Sequence, residues 1–380
     1  MTLDPLNIRN PGRVARMIGR HWKELDTPVL LVDLDRLERN IERMAALART
    51  HGVALRPHVK THKSVAIAQR QMAAGAVGLT TAKLDEAEVF ANAGFDDLFI
   101  AYELVTAAKL ERATALARRV KLSFGVDSPE GIDAAAAAAR QAGPTLRVRI
   151  EIDSGLHRCG VPPEGAAALA RSIAARPELE LDGVFTHAGH AYAAGSAHEL
   201  DRIGAEEAQS VIRAAEMIGS VRVVSVGNTP TATRSIVQPG VTEARPGNYV
   251  FYDGMQVALG AAGSDDCALT VAATVISRPE PGRAVVDAGA KTLGLDRGAH
   301  GGSSLPHYGS LVGTGGAVDR LSEEHGVLEL PTSSDLRVGE PVRILPNHAC
   351  AVANLADGYT VVRADRVVDW WPIDAAGAVH

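Results

Sequence analysis

Positive charge is not in excess. Lys and Arg number 39 against 45 Asp and Glu, a formal net charge of −6, so nothing advertises a nucleic-acid surface or an acidic membrane partner. No apolar run reaches the length that spans a bilayer. The first residues, through Arg9, Arg13, Arg16 and Arg20, lack the apolar core and cleavage site of a signal peptide. Cysteine is scarce and odd in number: Cys159, Cys267 and Cys350 are too few and too far apart for a disulfide framework. Together these shortages predict a cytoplasmic protein of a reducing compartment, with neither membrane nor nucleic acid as partner. Aromatic residues are only 4% of the chain while alanine abounds, which suits helices packed on a parallel sheet.

With 380 residues, 46% of them apolar, the chain can bury one large α/β domain and a smaller one. Residues 1–25 read as an irregular or helical leader. Val29-Leu30-Leu31-Val32 reads as a buried strand, and Asp35 opens an amphipathic helix through Leu37, Ile41, Met44 and Leu47. His51-Gly52 stops it, and Val53 to Lys60 gives the next strand. Strand-like runs then recur at Val77–Thr80, Asp97–Ala101, Lys121–Val126, Leu146–Ile152, Leu181–Thr186, Val221–Val226 and Tyr249–Tyr252, with Ala- and Glu-rich helices between them. Such alternation implies parallel pairing. Eight strands from Leu55 to Tyr252 are what a (β/α)8 TIM-type barrel requires, with an open doubly wound sheet as the alternative. From Cys267 onward short strands separated by Gly, Pro and Asp replace the helices, which predicts a mainly β C-terminal domain. The expected division is a barrel over 36–252 and a β domain built from 1–35 and 253–380.

The chemistry-bearing stretch is Arg56-Pro57-His58-Val59-Lys60-Thr61-His62-Lys63, where a strand gives way to a helix. A lysine there either reaches water in a solvated basic turn or does chemistry. Other strands end in Asp153-Ser154-Gly155-Leu156-His157-Arg158, in Thr186-His187-Ala188-Gly189-His190-Ala191-Tyr192, and in Ser225-Val226-Gly227-Asn228-Thr229-Pro230-Thr231. The last is either a plain turn or a cup for phosphate at a helix start. A phosphate cup, a lysine and an arginine on one barrel face suggest pyridoxal phosphate held as a Schiff base. In the β domain, His348 and Cys350 of Pro346-Asn347-His348-Ala349-Cys350 point the same way if they lie in a strand. They are then either structural or a metal pair with open positions. Glu324-His325-Gly326 is a turn or a residue that orients a neighbour, and Cys159 and Cys267 read as core fillers.

Taken together, these stretches resemble the D-threonine aldolase and D-serine dehydratase group of fold-type III pyridoxal phosphate enzymes, relatives of alanine racemase. The likeness runs from about Thr27 to Trp371 and includes Glu243–Asp253, Asp287–Gly289 and Glu324–Gly326. It implies that the strand near Val29–Val32 joins the β domain, and that the protein is a homodimer acting on a small D-amino acid. It further implies Lys60 as the Schiff-base lysine, Arg158 at the pyridine ring, and Tyr192 near the cofactor. Gly227, Asn228, Thr229 and Tyr249 would hold the phosphate, His187 would lie near the substrate hydroxyl, and His348 and Cys350 would bind zinc or manganese. The activity implied is a metal-dependent lyase of D-3-hydroxy-α-amino acids. Elimination of water is expected, because His348-Ala349-Cys350, Thr186–His190 and Gly247–Asp253 resemble the dehydratases, whereas many aldolases carry His-x-Asp. The tail from Asn354 to Trp371 is similar to the aldolases, which keeps retro-aldol cleavage to glycine and an aldehyde as the alternative. A racemase would need an opposed base, for which Tyr308 and Tyr359 are present without a racemase-like motif. A non-catalytic pyridoxal phosphate carrier is generally a lone barrel.

Overall fold

The structure, a computed structural model, describes residues 16–219, 221–298 and 305–380. The expected leader, with Arg9 and Arg13, lies outside them as far as residue 15. Two compact units divide the chain, one of residues 40–249, 259–261 and 377–380, the other of 1–39, 250–258 and 262–376. The expected 36–252 span differs from this division by a few residues at each end.

Strands are β1 Val29–Asp33, β2 Ala54–Leu55, β3 Leu79–Thr81, β4 Asp97–Glu103, β5 Lys121–Val126, β6 Leu146–Glu151, β7 Leu179–Phe185, β8 Val223–Val226 and β9 Glu243–Ala244. In the first unit eight of them lie in the order β2-β9-β8-β7-β6-β5-β4-β3, every pair parallel. A parallel bridge between His58 and Thr80 and a Thr80 N–H bond of 2.8 Å to the Pro57 carbonyl join the two ends, which closes the barrel and excludes the open sheet. Leu98, Phe99, Ile100, Phe124, Val148, Ile150, Val184 and Phe185 are all but inaccessible, as strands covered on both faces require. The helices begin and end where local chemistry directs. Ser128 Oγ accepts the Gly131 N–H at 3.3 Å to start the helix Pro129–Ala142, and Gly143, at φ +93°, ends it.

The last barrel strand is β9, not the expected Tyr249–Tyr252, which falls in and after a 3-10 turn over Asn248–Val250. Hydropathy misled here because Tyr249, Val250 and Phe251 are buried without being strand, whereas the true strand opens on a buried glutamate. Glu243 accepts from Arg56 Nε at 2.7 Å, Arg149 Nη1 at 2.6 Å and Ser225 Oγ at 2.8 Å. Strand β2 is likewise shorter than the Val53–Lys60 run, and Lys60 lies in a 3-10 turn beyond it, over Val59–Thr61.

The second unit adds β10 Leu269–Glu280, β11 Arg283–Val286, β12 Gly309–Leu311, β13 Ala317–Leu321, β14 Gly326–Glu329, β15 Pro341–Pro346, β16 Gly358–Arg363 and β17 Arg366–Pro372. With β1 they form a nine-stranded sheet in the order β11-β14-β13-β12-β15-β10-β1-β16-β17, and a further β10–β11 pairing closes part of it into an antiparallel barrel. Strand β1 pairs antiparallel with β10 and parallel with β16, so the chain's first strand does belong to the β sheet. Strands β12 and β13 have no counterpart in the hydropathy reading, because both are short and only alternate residues are buried.

Candidate active site

Most of the basic charge in Arg56–Lys63 is consumed by the fold. Arg56 is buried and pairs with Glu243 and, at 2.6 Å, with Asp97. Lys63 pairs with the buried Glu86 at 3.1 Å and donates to the Ala378 carbonyl. His62 is fully buried, and burial pushes its pKa down to about 3. Its Nδ1 accepts the Ser64 N–H, so its Nε2–H donates to Gln71 Oε1, at 3.2 Å. Gln71 Nε2 in turn donates to the Tyr249 hydroxyl at 3.0 Å. The turn is therefore not the solvated basic loop. Lys60 stays half-buried, on a turn whose amide bonds back to His58 Nδ1 at 3.4 Å.

Around His58 the expected residues converge. Its pKa is driven well below the ordinary value by burial first, then by the charges of Lys60 and Arg245, with His187 and Arg158 also within electrostatic range. His187 Nδ1 lies 2.7 Å from the Gly227 carbonyl, an acceptor, so the ring proton sits on Nδ1 and Nε2 carries the lone pair. Arg158 is about half exposed and reaches within 3.9 Å of Glu151 at the end of β6. Burial, then a hydrogen bond and charge shared with Glu103, hold the Glu151 carboxyl well above the carboxylate range. Tyr192 is half-buried in the 3-10 turn Gly189–Ala193.

The loop after β8 carries the candidate phosphate residues. Thr229 is buried and its hydroxyl finds no partner among the described residues, an orphan donor that suits a phosphate oxygen. Asn228 holds the loop instead, its Nδ2 on the Ala188 carbonyl at 2.9 Å and its Oδ1 an acceptor, which no dianion needs. At Gly227 a Cβ would fall 2.8 Å from Arg245 Nη2, so glycine is required for Arg245 to pack. The helix that follows, Ala232–Ser235, is only four residues long, so its dipole adds little to the expected helix-start cup. The loop is braced from below by Glu207, which accepts the Gly227 N–H at 3.0 Å and the Thr231 hydroxyl at 2.5 Å.

In the β unit, His348 and Cys350 are not in a strand. His348 caps the helix Ala349–Asn354 and Cys350 lies in its first turn. The fold still brings the two side chains together, because an extended cap residue leads straight into the turn. Nδ1 of His348 contacts Asp296 Oδ2 at 2.8 Å, and the ring shares a hydrogen bond with Cys350. Burial opposes a charge on this imidazole, but Asp296, Cys350 and Asp253 outweigh it and hold the pKa up at about 10. One nitrogen, one thiol and a carboxylate behind the imidazole fit a borderline divalent ion, with the carboxylate fixing the ring orientation. Asp253 accepts the Ala349 N–H at 2.9 Å and so anchors the helix start. Glu324 pairs with Lys291 at 2.6 Å and Gly326 opens β14, so that motif is a turn.

Several residues that shape these sites receive no role from the sequence alone: His58, Arg245, Glu207, Glu103, Glu151 and Asp296. Arg245 is fully buried, donates to Ser225 Oγ and to the Thr186 carbonyl, and is pulled down to about 10 by burial. Only its place before Pro246-Gly247 hinted at it.

A closed parallel barrel with a lysine just past its first strand, followed by a β unit opened by the chain's own N-terminal strand, defines the fold-type III pyridoxal phosphate class. The chain belongs to the alanine racemase N-terminal domain family, which matches residues 32–254, and a serine dehydratase domain matches residues 268–362. It is 38% identical to the D-threo-3-hydroxyaspartate dehydratase of Delftia sp. strain HT23, over 91% of this chain and 97% of the relative. The solved structure of that enzyme superposes with a TM-score of 0.87, covering 93% of this chain and 98% of the other. A cysteine-to-alanine mutant of it is known in a metal-free form. The D-threonine aldolase of an Arthrobacter species is 33% identical over 94% of this chain and 95% of its own length. No helix among the described residues is long and apolar enough to cross a membrane.

Proposed function

We propose that this protein is a pyridoxal phosphate- and divalent metal-dependent lyase that eliminates water from D-3-hydroxy-α-amino acids to give a 2-oxo acid and ammonia. The observation that carries the reading is the His348–Cys350 pair with Asp296 behind it, a nitrogen–sulfur ligand set of the dehydratase kind. Pyridoxal phosphate supplies an electron sink for charge at Cα, and the ion, zinc or manganese, supplies a Lewis acid for the β-oxygen. Lys60 would hold the cofactor, and its free amine would be the group that takes the α-proton. Arg158 would meet the pyridine ring and Tyr192 would help to hold the cofactor. Thr229 and Tyr249 donate to the phosphate on a loop that Gly227 and Asn228 keep in shape. The low pKa of His58 keeps it neutral beside Lys60, so it does not repel a second positive charge there. The protein acts as a homodimer.

Retro-aldol cleavage is the second reading. His187 favours it, because pinning Nδ1 on the Gly227 carbonyl leaves Nε2 able to take a hydroxyl proton. A racemase is disfavoured: Tyr359 is wholly buried against Phe251 and offers no base. Product analysis on D-threonine and D-phenylserine decides between the two lyases. Oxo acid and ammonia are expected; glycine and aldehyde would reverse the assignment.

A further inference from the structure

We propose that the β unit binds a second divalent cation, held by the imidazole of His307 and the carboxylates of Asp319 and Glu329 and separate from the His348–Cys350 pair. The proposal goes beyond the lyase reading and does not depend on it. Each of the three side chains brings one ligand atom within 4.8 Å of the other two, and no other trio of His, Cys, Asp and Glu among the described residues does so. Neighbouring strands assemble the trio. Tyr308 donates its N–H to the Val318 carbonyl at 2.8 Å on the way into β12, which sets His307 beside β13. Across β13 and β14, Ala317 faces Glu329 and Val318 faces Leu328. Val318 and Leu328 are inaccessible, so Glu329 points away from the core. The register then shifts between Val318 and Arg320, and this irregularity lets Asp319 and Arg320 both face solvent.

A histidine beside two acids that needed only a neighbour would close into a hydrogen bond or an ion pair with one of them. Here the ring has neither among the described residues, and its Nδ1 is buried without a partner. A buried nitrogen of that kind is a group that an ion or water satisfies. Glu329 is passed over by the nearest base: Arg283, opposite it across β11 and β14, pairs with Glu280 at 3.1 Å. Asp319 has Arg320 at 3.3 Å, an exposed pairing of little worth that a metal can displace. Donor atoms that converge to this spacing without touching match an ion bonded to each at about 2.0–2.2 Å. One nitrogen and two carboxylates fit manganese or zinc, with water in the remaining positions. Lacking a thiolate, the set is harder than His348–Cys350, so its preference for zinc over manganese is smaller. The two sites are joined through the backbone. The His307 carbonyl accepts Asn347 Nδ2 at 2.5 Å, and Asn347 directly precedes His348. A cation on His307 therefore ties β13 and β14 to the segment that leads into the first pair.

Removing the first pair isolates the second site. The full chain carrying His348→Ala and Cys350→Ala is stripped with a chelator and titrated with Mn2+, whose free and bound forms are read by electron paramagnetic resonance. One bound ion per chain is expected, with coupling to an imidazole nitrogen in its spectrum. Adding His307→Ala should remove that coupling and weaken binding at least about tenfold, since even a lost outer partner costs a metal site that much. Asp319→Asn with Glu329→Gln should weaken it similarly; both residues are exposed, so circular dichroism should show the fold unchanged. The wild-type chain gives a second measurement that does not rely on the altered pair: two ions per chain at saturation, falling to one with His307→Ala. No bound Mn2+ in the chain without the first pair overturns the proposal. So does binding that His307→Ala leaves unchanged, or a wild-type chain that saturates at one ion.

Discussion

Replacing Glu207 should loosen the cofactor without touching it. The residue sits on the helix Ala197–Ile218, is wholly inaccessible, and takes two hydrogen bonds from the loop after β8. Glu207→Ala removes the acceptor for both the Gly227 N–H and the Thr231 hydroxyl. Each buried donor left unsatisfied costs about 1–3 kcal/mol, and the space vacated adds to that, so a total loss of about 3–5 kcal/mol is expected in denaturant unfolding. These donors flank Asn228 and Thr229, so part of the loss must appear in cofactor binding. About 1.4–2.8 kcal/mol there is a 10- to 100-fold rise in the Kd for pyridoxal phosphate, measured by absorbance titration. Glu207→Gln is the control: its oxygen still accepts from Gly227 and its amide donates to Thr231, so it should stay within about 1 kcal/mol of wild type. The pKa of Glu207 is raised, by burial above all, although Thr231, Gly227 and Arg245 work the other way. A carboxyl raised on folding contributes stability that is full below its unfolded value near 4.5 and is lost as pH rises through the folded value. The Gln variant has no such loss, so its stability relative to wild type should improve as pH rises above 4.5. Wild-type cofactor affinity in Glu207→Ala would refute the argument, since the loop would then keep its shape without its brace.

The same reasoning applies to the metal pair and the barrel interior. Asp296→Asn should weaken divalent-ion affinity about 10- to 100-fold by leaving the His348 ring free to turn, measured by competition with a chelator. Chelation itself should end turnover while the cofactor absorbance persists. Glu243→Gln should cost about 3–5 kcal/mol in unfolding experiments, because Arg56 and Arg149 are left buried with one carboxylate each. Burial works to raise the Glu243 pKa, but Arg149, Arg56 and Arg245 drive it far below the usual range. Its contribution is therefore present above about pH 4.5 and lost as pH falls, so acid should destabilise the Gln variant less than the wild type.

The barrel was legible because strands buried on both faces write continuous apolar runs, as Lys121–Val126 and Leu146–Glu151 do. It failed at β9, where the strand is two residues long and its first side chain is an anion satisfied from inside the barrel. Hydropathy cannot see a charge whose partners lie more than 90 residues away. The β unit was legible as a texture but not strand by strand. Strand β13 shows a register shift between Val318 and Arg320, which breaks the alternation a reader looks for.

Site residues divide along a similar line. Those announced by a local run, such as Lys60, His187 and the His348–Cys350 pair, could be named from sequence, although the pair's reason was misjudged. Those that act by supporting another residue could not be named. Asp296 lies 52 positions from the histidine it holds, and Glu207 lies 20 positions from the amide it accepts. The distinction matters for chemistry. His348 without Asp296 is a ring of undetermined tautomer, and His187 without the Gly227 carbonyl is another. Holding Nδ1 in both cases leaves Nε2 as the nitrogen that changes state, in His348 by giving up its proton to bind a cation and in His187 by accepting one. The reactive motif therefore states which atoms are available, and distant partners decide which of them bears the proton.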